Sequence, residues 1–251
     1  SHCVPQGLFL EGELSRDGNM QPLKLGLLYY LLKARGQHRC QDLVFVPVGL
    51  SYDRVPQDHT LVAHQGQGFR GKSALYPLVS LGRFMILVMP RMVGLAKPYG
   101  KVVANYGRPL SLDNWLQEGG RDLEEGDSSR RRETIDLLGE ELAASIETLI
   151  PVLPVALLAQ VLLATGEGGI PELQLKRKSL ALAEDLRLVD VTVVLDENDE
   201  ERSFSEGLYL LMKRQMVVLG GDGRLRVPPV ARPLLAYYRN SIPGQLAFET
   251  A

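Results

Sequence analysis

Lys24–Val48 reads KLGLLYYLLKARGQHRCQDLVFVPV, and this stretch decides the fold class. Lys24–Arg35 predicts a helix. Its last turn carries Lys33 and Arg35, where cations complement the helix dipole, and Gly36 follows as a stop. Leu43–Val48 (LVFVPV) is apolar on both faces, which predicts a short buried strand, central in a parallel or mixed sheet. Upstream, Leu8–Leu10 reads as the end of a buried strand and Gly12–Gln21 as a polar loop. Downstream come a loop over His59–Gly71 and an apolar helix over Ser73–Leu95 that breaks near Pro90. A strand at Lys101–Asn105 follows, and Gly107, Arg108 and Pro109 turn after it. Strands alternating with helices predict an α/β domain.

The second part of the chain has a different texture. Helical periodicity runs over Arg130–Leu149, Val155–Ala164, Ile170–Leu188 and Ser203–Leu219. Gly220-Gly221-Asp222-Gly223 then turns into Leu225–Val227, and Arg232–Ser241 closes with a further helix. Helices ending in a tight hairpin give a winged-helix outline. The polar, Gly-rich stretch Glu118–Ser129 (EGGRDLEEGDSS) reads as a linker. The predicted organisation is therefore an α/β domain over 1–117, a linker over 118–129 and a helical domain over 130–251.

Charge divides at the same place. Up to Gln117 there are 13 Lys and Arg against 7 Asp and Glu, a net +6; the remainder has 15 against 23, a net −8. A positive first domain suits a small anionic ligand such as a phosphate or coenzyme A. The acidic second part disfavours nucleic acid, because phosphate contact needs cations. With 45 % hydrophobic and 23 % charged residues the chain builds a core, which excludes collagen-like and disordered classes. Two cysteines, Cys3 and Cys40, are too few for a disulfide framework and lack metal spacing. Thr148–Thr165 is an uncharged run of 18 residues, but Pro151 and Pro154 favour a buried helix over a membrane span. Phe84–Gly94 is a second apolar run, either a core helix or a surface that touches lipid.

Several catalytic patterns are absent or weak. The chain has no G-x-S-x-G elbow, and its four histidines (His2, His38, His59, His64) form no metal pattern. Gly66–Ser73 (GQGFRGKS) fits the phosphate-loop pattern, with Val191–Glu197 as an acidic strand. Thr60–Gln65, however, gives no buried strand ahead of it, so a basic Gly-rich loop is the favoured reading.

Phe9–Gly26 reads FLEGELSRDGNMQPLKLG. It resembles the third sequence block of the membrane-associated glycerol-3-phosphate acyltransferases and their dihydroxyacetone-phosphate relatives: F-x-E-G-G-R-S-R-x-G, with Lys-x-Gly downstream. Val46–Pro56 (VPVGLSYDRVP) resembles the fourth block. Gly100–Leu116 (GKVVANYGRPLSLDNWL) resembles the segment after it, and Ala236–Ile242 (AYYRNSI) resembles a C-terminal Tyr-Tyr-Arg-Asn-Asn motif. The four matches occur in order along nearly the whole chain.

The resemblance implies transfer of a fatty acyl group from acyl-CoA or acyl carrier protein to the first hydroxyl of glycerol 3-phosphate. It implies no cofactor beyond the acyl donor, no metal, and work at the cytoplasmic face of a membrane as a peripheral or membrane-associated enzyme. In the family a His of an H-x-x-x-x-D motif is the general base. Here the residues five after each histidine are Gly7, Leu43, His64 and Phe69, so the motif is absent. The expectation is a C-terminal portion of such an enzyme, inactive alone. A second departure is Glu13-Leu14 where the family has Gly-Arg, which should weaken anion binding.

Site roles follow from the same resemblance. Glu11 contacts the glycerol hydroxyls or fixes the loop, and Gly12 permits a tight turn. Ser15 and Arg16 hold the phosphate, with Arg16 the strongest candidate. Lys24 opens a helix, where a cation opposes the dipole, so it either meets an anion or is merely solvated. Pro47 shapes a strand end and the acyl-donor cleft, or is purely structural; Tyr52 and Asp53 are further candidates. The rival readings are a non-catalytic acyltransferase-like binding or scaffold protein and a nucleotide-binding enzyme using Gly66–Ser73.

Overall fold

The computed structural model describes residues 5–12, 15, 17–38, 42–55, 100–121, 123 and 128–243, with main chain only for 36–38. Arg16, Glu13, Leu14, the phosphate-loop match at Gly66–Ser73, the apolar stretch Ser73–Leu95, both cysteines and His2, His59 and His64 lie outside the described residues.

The described residues form a mixed α/β chain of seven α-helices and small antiparallel sheets. Helix α1 (Gly26–His38) leads to strands β1 (Val44–Phe45) and β2 (Val48–Tyr52). Strands β3 (Val102–Tyr106) and β4 (Leu110–Ser111) follow, and then helices α2 (Leu112–Glu118), α3 (Ser128–Leu149) and α4 (Pro154–Ala164). Strand β5 (Ile170–Pro171), helices α5 (Glu172–Leu188) and α6 (Glu200–Lys213), strands β6 (Val218–Leu219) and β7 (Arg224–Arg226) and helix α7 (Arg232–Arg239) complete the chain.

Strand pairing differs from the expectation at Leu43–Val48. Here β1 pairs antiparallel with β4 and β2 antiparallel with β3, giving one ribbon interrupted where Val46 and Pro47 oppose Gly107, Arg108 and Pro109. The unequal count is a bulge, and Pro47, which has no N–H to give a ladder, sits in it. The apolar run predicted burial on both faces, but only one is covered. Gly49 and Ser51 turn inward to the end of α3, while Leu50, Tyr52, Val102 and Tyr106 face outward and are exposed. Leu8–Leu10 forms no strand: its backbone is used in turns, Gly12 N donating to Phe9 O at 3.1 Å and Lys24 N to Leu10 O at 2.7 Å, and Phe9 is 70 % exposed.

Two hydrophobic clusters hold the chain. The first joins Leu10, Leu28, Leu32, Leu112 and Trp115 to Ile135, Leu138, Leu142 and Ala143 of α3. Trp115 Nε1 donates to Glu141 Oε2 at 2.6 Å, and the Arg121 guanidinium stacks 4.1 Å from the indole centre. Helix α3 thus packs with the N-terminal elements, although it follows the polar stretch read as a linker.

The second cluster is built around α4, whose residues Pro154–Leu162 are all buried. At 11 residues it is about 16 Å long, half a bilayer's hydrocarbon core. No helix among the described residues is long and apolar enough to cross a membrane. Helix α6 crosses α4 at Gly207, where a Cβ would already stand 3.1 Å from Leu158 Cδ1.

Two predicted helices are trimmed by local chemistry. Ile170–Pro171 is strand, pairing with Arg224–Leu225, because a residue before proline prefers extended backbone; the helix starts at Glu172. The helix predicted to run to Leu219 ends at Lys213, since Gln215 adopts φ +57° and turns Met216 and Val217 into the core. The sheet of this unit has the order β5-β7-β6.

Candidate functional site

The described residues between Phe9 and Lys24 are held by bonds from their own side chains. Gly12 provides the first turn at φ +67°, with the Lys24 side chain lying against it. Glu11 reaches across the loop: its Oε2 accepts from Gln21 N–H at 3.0 Å. The Ser15 hydroxyl accepts from Gly18 N–H at 2.9 Å and donates to Asn19 O at 2.7 Å, so it is committed to the loop itself. Asp17 accepts from Asn19 N–H at 3.1 Å and Gln21 Nε2 at 2.8 Å through Oδ1, and from Asn19 Nδ2 at 3.1 Å through Oδ2. These are Asx-type bonds, the chemistry that Asp-Gly-Asn sequences favour in turns.

The two carboxylates are biased in opposite directions. Burial pushes the Glu11 carboxyl up, only partly offset by the Gln21 N–H, and the charges of Asp17 and Glu147 add to the rise. Burial also acts on Asp17, but bonds from the Asn19 side chain and backbone and from Ser15 outweigh it and hold that carboxyl below its ordinary value.

The C-terminal motif meets this loop. Asn240 Nδ2 donates to Asp17 O at 2.8 Å, and Gly18, at φ +87°, packs directly on the Tyr237 carbonyl. The Tyr238 hydroxyl accepts from Val55 N–H at 3.2 Å and from Arg214 Nη1 at 2.9 Å.

The fold therefore brings together Glu11, Gly12, Ser15 and Lys24. Pro47 makes a different set of contacts: buried between β1 and β2, it accepts from Gly107 N–H at 2.9 Å. The two regions are linked through the end of α3, whose Glu147 acts on Glu11 and whose Leu149 carbonyl takes Asn105 Nδ2 at 3.0 Å. Tyr52 is exposed on the outer sheet face. Asp53 is buried: its Oδ2 accepts Lys101 N–H at 2.8 Å while Oδ1 has no hydrogen-bond partner among the described residues, and burial raises its carboxyl despite Lys101.

Asp17, Gly18, Asn19 and Gln21 escaped sequence selection, although Asp-Gly-Asn carries a turn signal. A recess of about 240 Å³ between α4 and α5, lined by Val161, Ala164, Lys178 and Leu182 among others, lies apart from the loop. Among the described residues no group of three or more His, Cys, Asp or Glu side chains is arranged to hold a metal ion.

Comparison with known proteins agrees with the motifs. Residues 91–244 match the family described as the glycerol-3-phosphate acyltransferase C-terminal region. The chain is similar to the glycerol-3-phosphate acyltransferase of Pseudomonas entomophila (strain L48), 28 % identical over 97 % of this chain and 30 % of that protein. It is also similar to the enzyme of that name from Ectopseudomonas mendocina (strain ymp), 30 % identical over 96 % of this chain and 29 % of that protein. A third relative, from Pseudomonas putida (strain W619), is 28 % identical over 95 % of this chain and 28 % of that protein. The chain spans less than a third of the length of these curated relatives.

Proposed function

The chain belongs to the glycerol-3-phosphate acyltransferase C-terminal region family, and from that premise we propose that it serves a glycerol-3-phosphate 1-O-acyltransferase by supplying the loop that holds the phosphate and glycerol. The observation that carries this reading is the set of internal hydrogen bonds among the described loop residues Glu11, Ser15, Gly18, Asn19 and Gln21, which fixes the backbone on which the family motif lies. In the proposed reaction the first hydroxyl of glycerol 3-phosphate attacks the thioester carbonyl carbon of acyl-CoA or acyl carrier protein. The hydroxyl proton leaves to a base, the C–S bond breaks, and the thiol departs. The chain has no H-x-x-x-x-D to provide that base. What these residues do is bind and orient: Arg16 meets the phosphate dianion, Ser15 and Asp17 hold the backbone around it, and Glu11 faces the glycerol end.

The positive balance of residues up to Gln117 supports an anionic ligand in this part. The product is a lipid, which supports work at the cytoplasmic side of a membrane as a peripheral protein. The order α4–β5–α5–α6–β6–β7, with sheet order β5-β7-β6, supports a winged-helix-like reading of the C-terminal unit. Two core clusters that divide near Ile150–Val152 support two units, with α3 belonging to the first. One observation favours a non-catalytic relative, the replacement of the family's Gly-Arg by Glu13-Leu14.

Calorimetric titration of the chain with glycerol 3-phosphate, with glycerol as control, tests the proposal. Binding of the phosphate ester alone, lost in Arg16→Ala, is expected, with no esterification when acyl-CoA is added. Equal binding of glycerol, or turnover by this chain, counts against it.

A further inference from the structure

Helix α7 belongs to the core of the C-terminal unit through Leu234, Leu235 and Tyr238, yet its last turn also contacts the N-terminal part. Three residues do this. The Tyr237 carbonyl is the floor on which Gly18 lies. The Tyr238 hydroxyl takes Val55 N–H, at the exit of β2. Asn240 Nδ2 donates to the Asp17 carbonyl at 2.8 Å, and its amide is held in that orientation because Arg239 Nε and Nη2 donate to Oδ1 at 3.2 and 2.9 Å. The anchor is firm, since Tyr238 is itself buried and its hydroxyl is bonded to Arg214.

Asp17 is where this anchor enters the loop. Its carbonyl faces α7, while its carboxylate faces inward and gathers Asn19 and Gln21. Gln21 in turn donates its N–H to Glu11. An unbroken set of hydrogen-bonded residues therefore runs from Asn240 through Asp17 and Gln21 to Glu11. A loop of this kind without an external tie keeps its turns but loses its orientation, and a ligand must then supply the ordering.

We propose that Asn240 is a positioning residue: the last turn of α7 clamps the loop at Asp17-Gly18 and so preorganises it for its anionic ligand. The ligand part of this inference rests on the glycerol 3-phosphate reading above.

Asn240→Asp isolates the bond, since it keeps the side-chain size and the acceptor toward Arg239 but removes the NH₂ donor. Asn240→Ala is the second variant. Residue-resolved hydrogen exchange on the full chain reads Gly18, Asn19 and Gln21, whose N–H groups are bonded inside the loop, against Leu157 and Leu158 of α4 as internal controls. Both variants should speed exchange at the three loop amides about three- to tenfold, the range set by one hydrogen bond, with the α4 amides and the melting temperature unchanged. Calorimetry should show the glycerol 3-phosphate affinity falling by a similar factor. Unchanged exchange at the loop amides overturns the clamp. Faster exchange with unchanged affinity overturns the positioning role. Faster exchange when the unsubstituted chain binds no glycerol 3-phosphate overturns the substrate reading and supports the clamp alone.

Discussion

Gly18 lies so close to the main-chain carbonyl of Tyr237 that a Cβ built on it would overlap the oxygen. The neighbours are backbone, which cannot swing aside as a flexible side chain can, and φ at Gly18 is +87°. Two independent constraints thus select glycine here, one conformational and one steric. The steric one comes from Tyr237, far along the chain, so the seam between loop and α7 is tight in van der Waals terms as well as hydrogen-bonded.

Gly18→Ala is expected to cost about 2 kcal/mol or more, combining the left-handed penalty with displacement of the α7 turn. Gly120→Ala is the control: Gly120 has φ +57° but nothing within 4 Å of a Cβ, so only the backbone penalty of about 1 kcal/mol applies. Urea denaturation of the two variants measures the difference. Equal losses would mean that the Tyr237 contact gives way at little cost.

Glu11→Gln separates function from stability. Burial raises the folded-state pKa of Glu11 above its unfolded value. The folded chain therefore binds this proton more readily than the unfolded one. The charge costs nothing below the ordinary carboxylate range, and the cost is complete once pH exceeds the folded pKa. Glutamine removes the charge and keeps an oxygen to accept from Gln21 N–H. The variant should match or exceed the parent in urea midpoint at pH 7, with the difference vanishing near pH 3. If Glu11 faces the glycerol end, the same substitution should also weaken glycerol 3-phosphate binding severalfold by calorimetry.

The helices were the readable part of the fold. Periodicity and capping located α1, α3, α4 and α5 to within a few residues, because those signals are local. Strand pairing was not readable: LVFVPV has the same apolar pattern whether its neighbours run parallel or antiparallel, and Pro47 marks a bulge only once Gly107–Pro109 are known to lie opposite. The loop residues Glu11, Gly12, Ser15 and Lys24 were marked by motif. Their geometry depends on Asp17, Gln21 and Asn240, and the last lies too far along the chain for any spacing rule to connect it.

Leu157→Ala should destabilise the C-terminal unit by about 2–5 kcal/mol, the range for emptying a fully buried leucine site. Leu157 is 0 % exposed at the centre of α4, which packs against α5, α6 and α7. Leu188, 83 % exposed at the end of α5, gives the contrast, and Leu188→Ala should stay within about 0.5 kcal/mol. Scanning calorimetry on both variants distinguishes a core built on α4 from one whose weight is carried elsewhere.

Asp222 and Arg226 close the β6–β7 turn with two bonds, Nη1 to Oδ1 at 2.8 Å and Nη2 to Oδ2 at 2.5 Å. The bidentate bond to Arg226 holds the Asp222 carboxyl down to about 2, helped by Arg224 N–H. A depressed carboxylate contributes its stabilisation above the unfolded pKa and loses it as pH falls through the folded one, so the turn should hold to about pH 4 and loosen toward pH 2. A ¹³C NMR titration of the Asp222 carboxyl should find its midpoint near 2 in the parent chain. In Arg226→Gln the midpoint should return toward the ordinary aspartate range. Because the pair lies at the surface, in contact with solvent, salt should shift the parent midpoint upward as well. A midpoint that ignores both Arg226→Gln and salt would assign the shift to the backbone N–H groups of the turn instead.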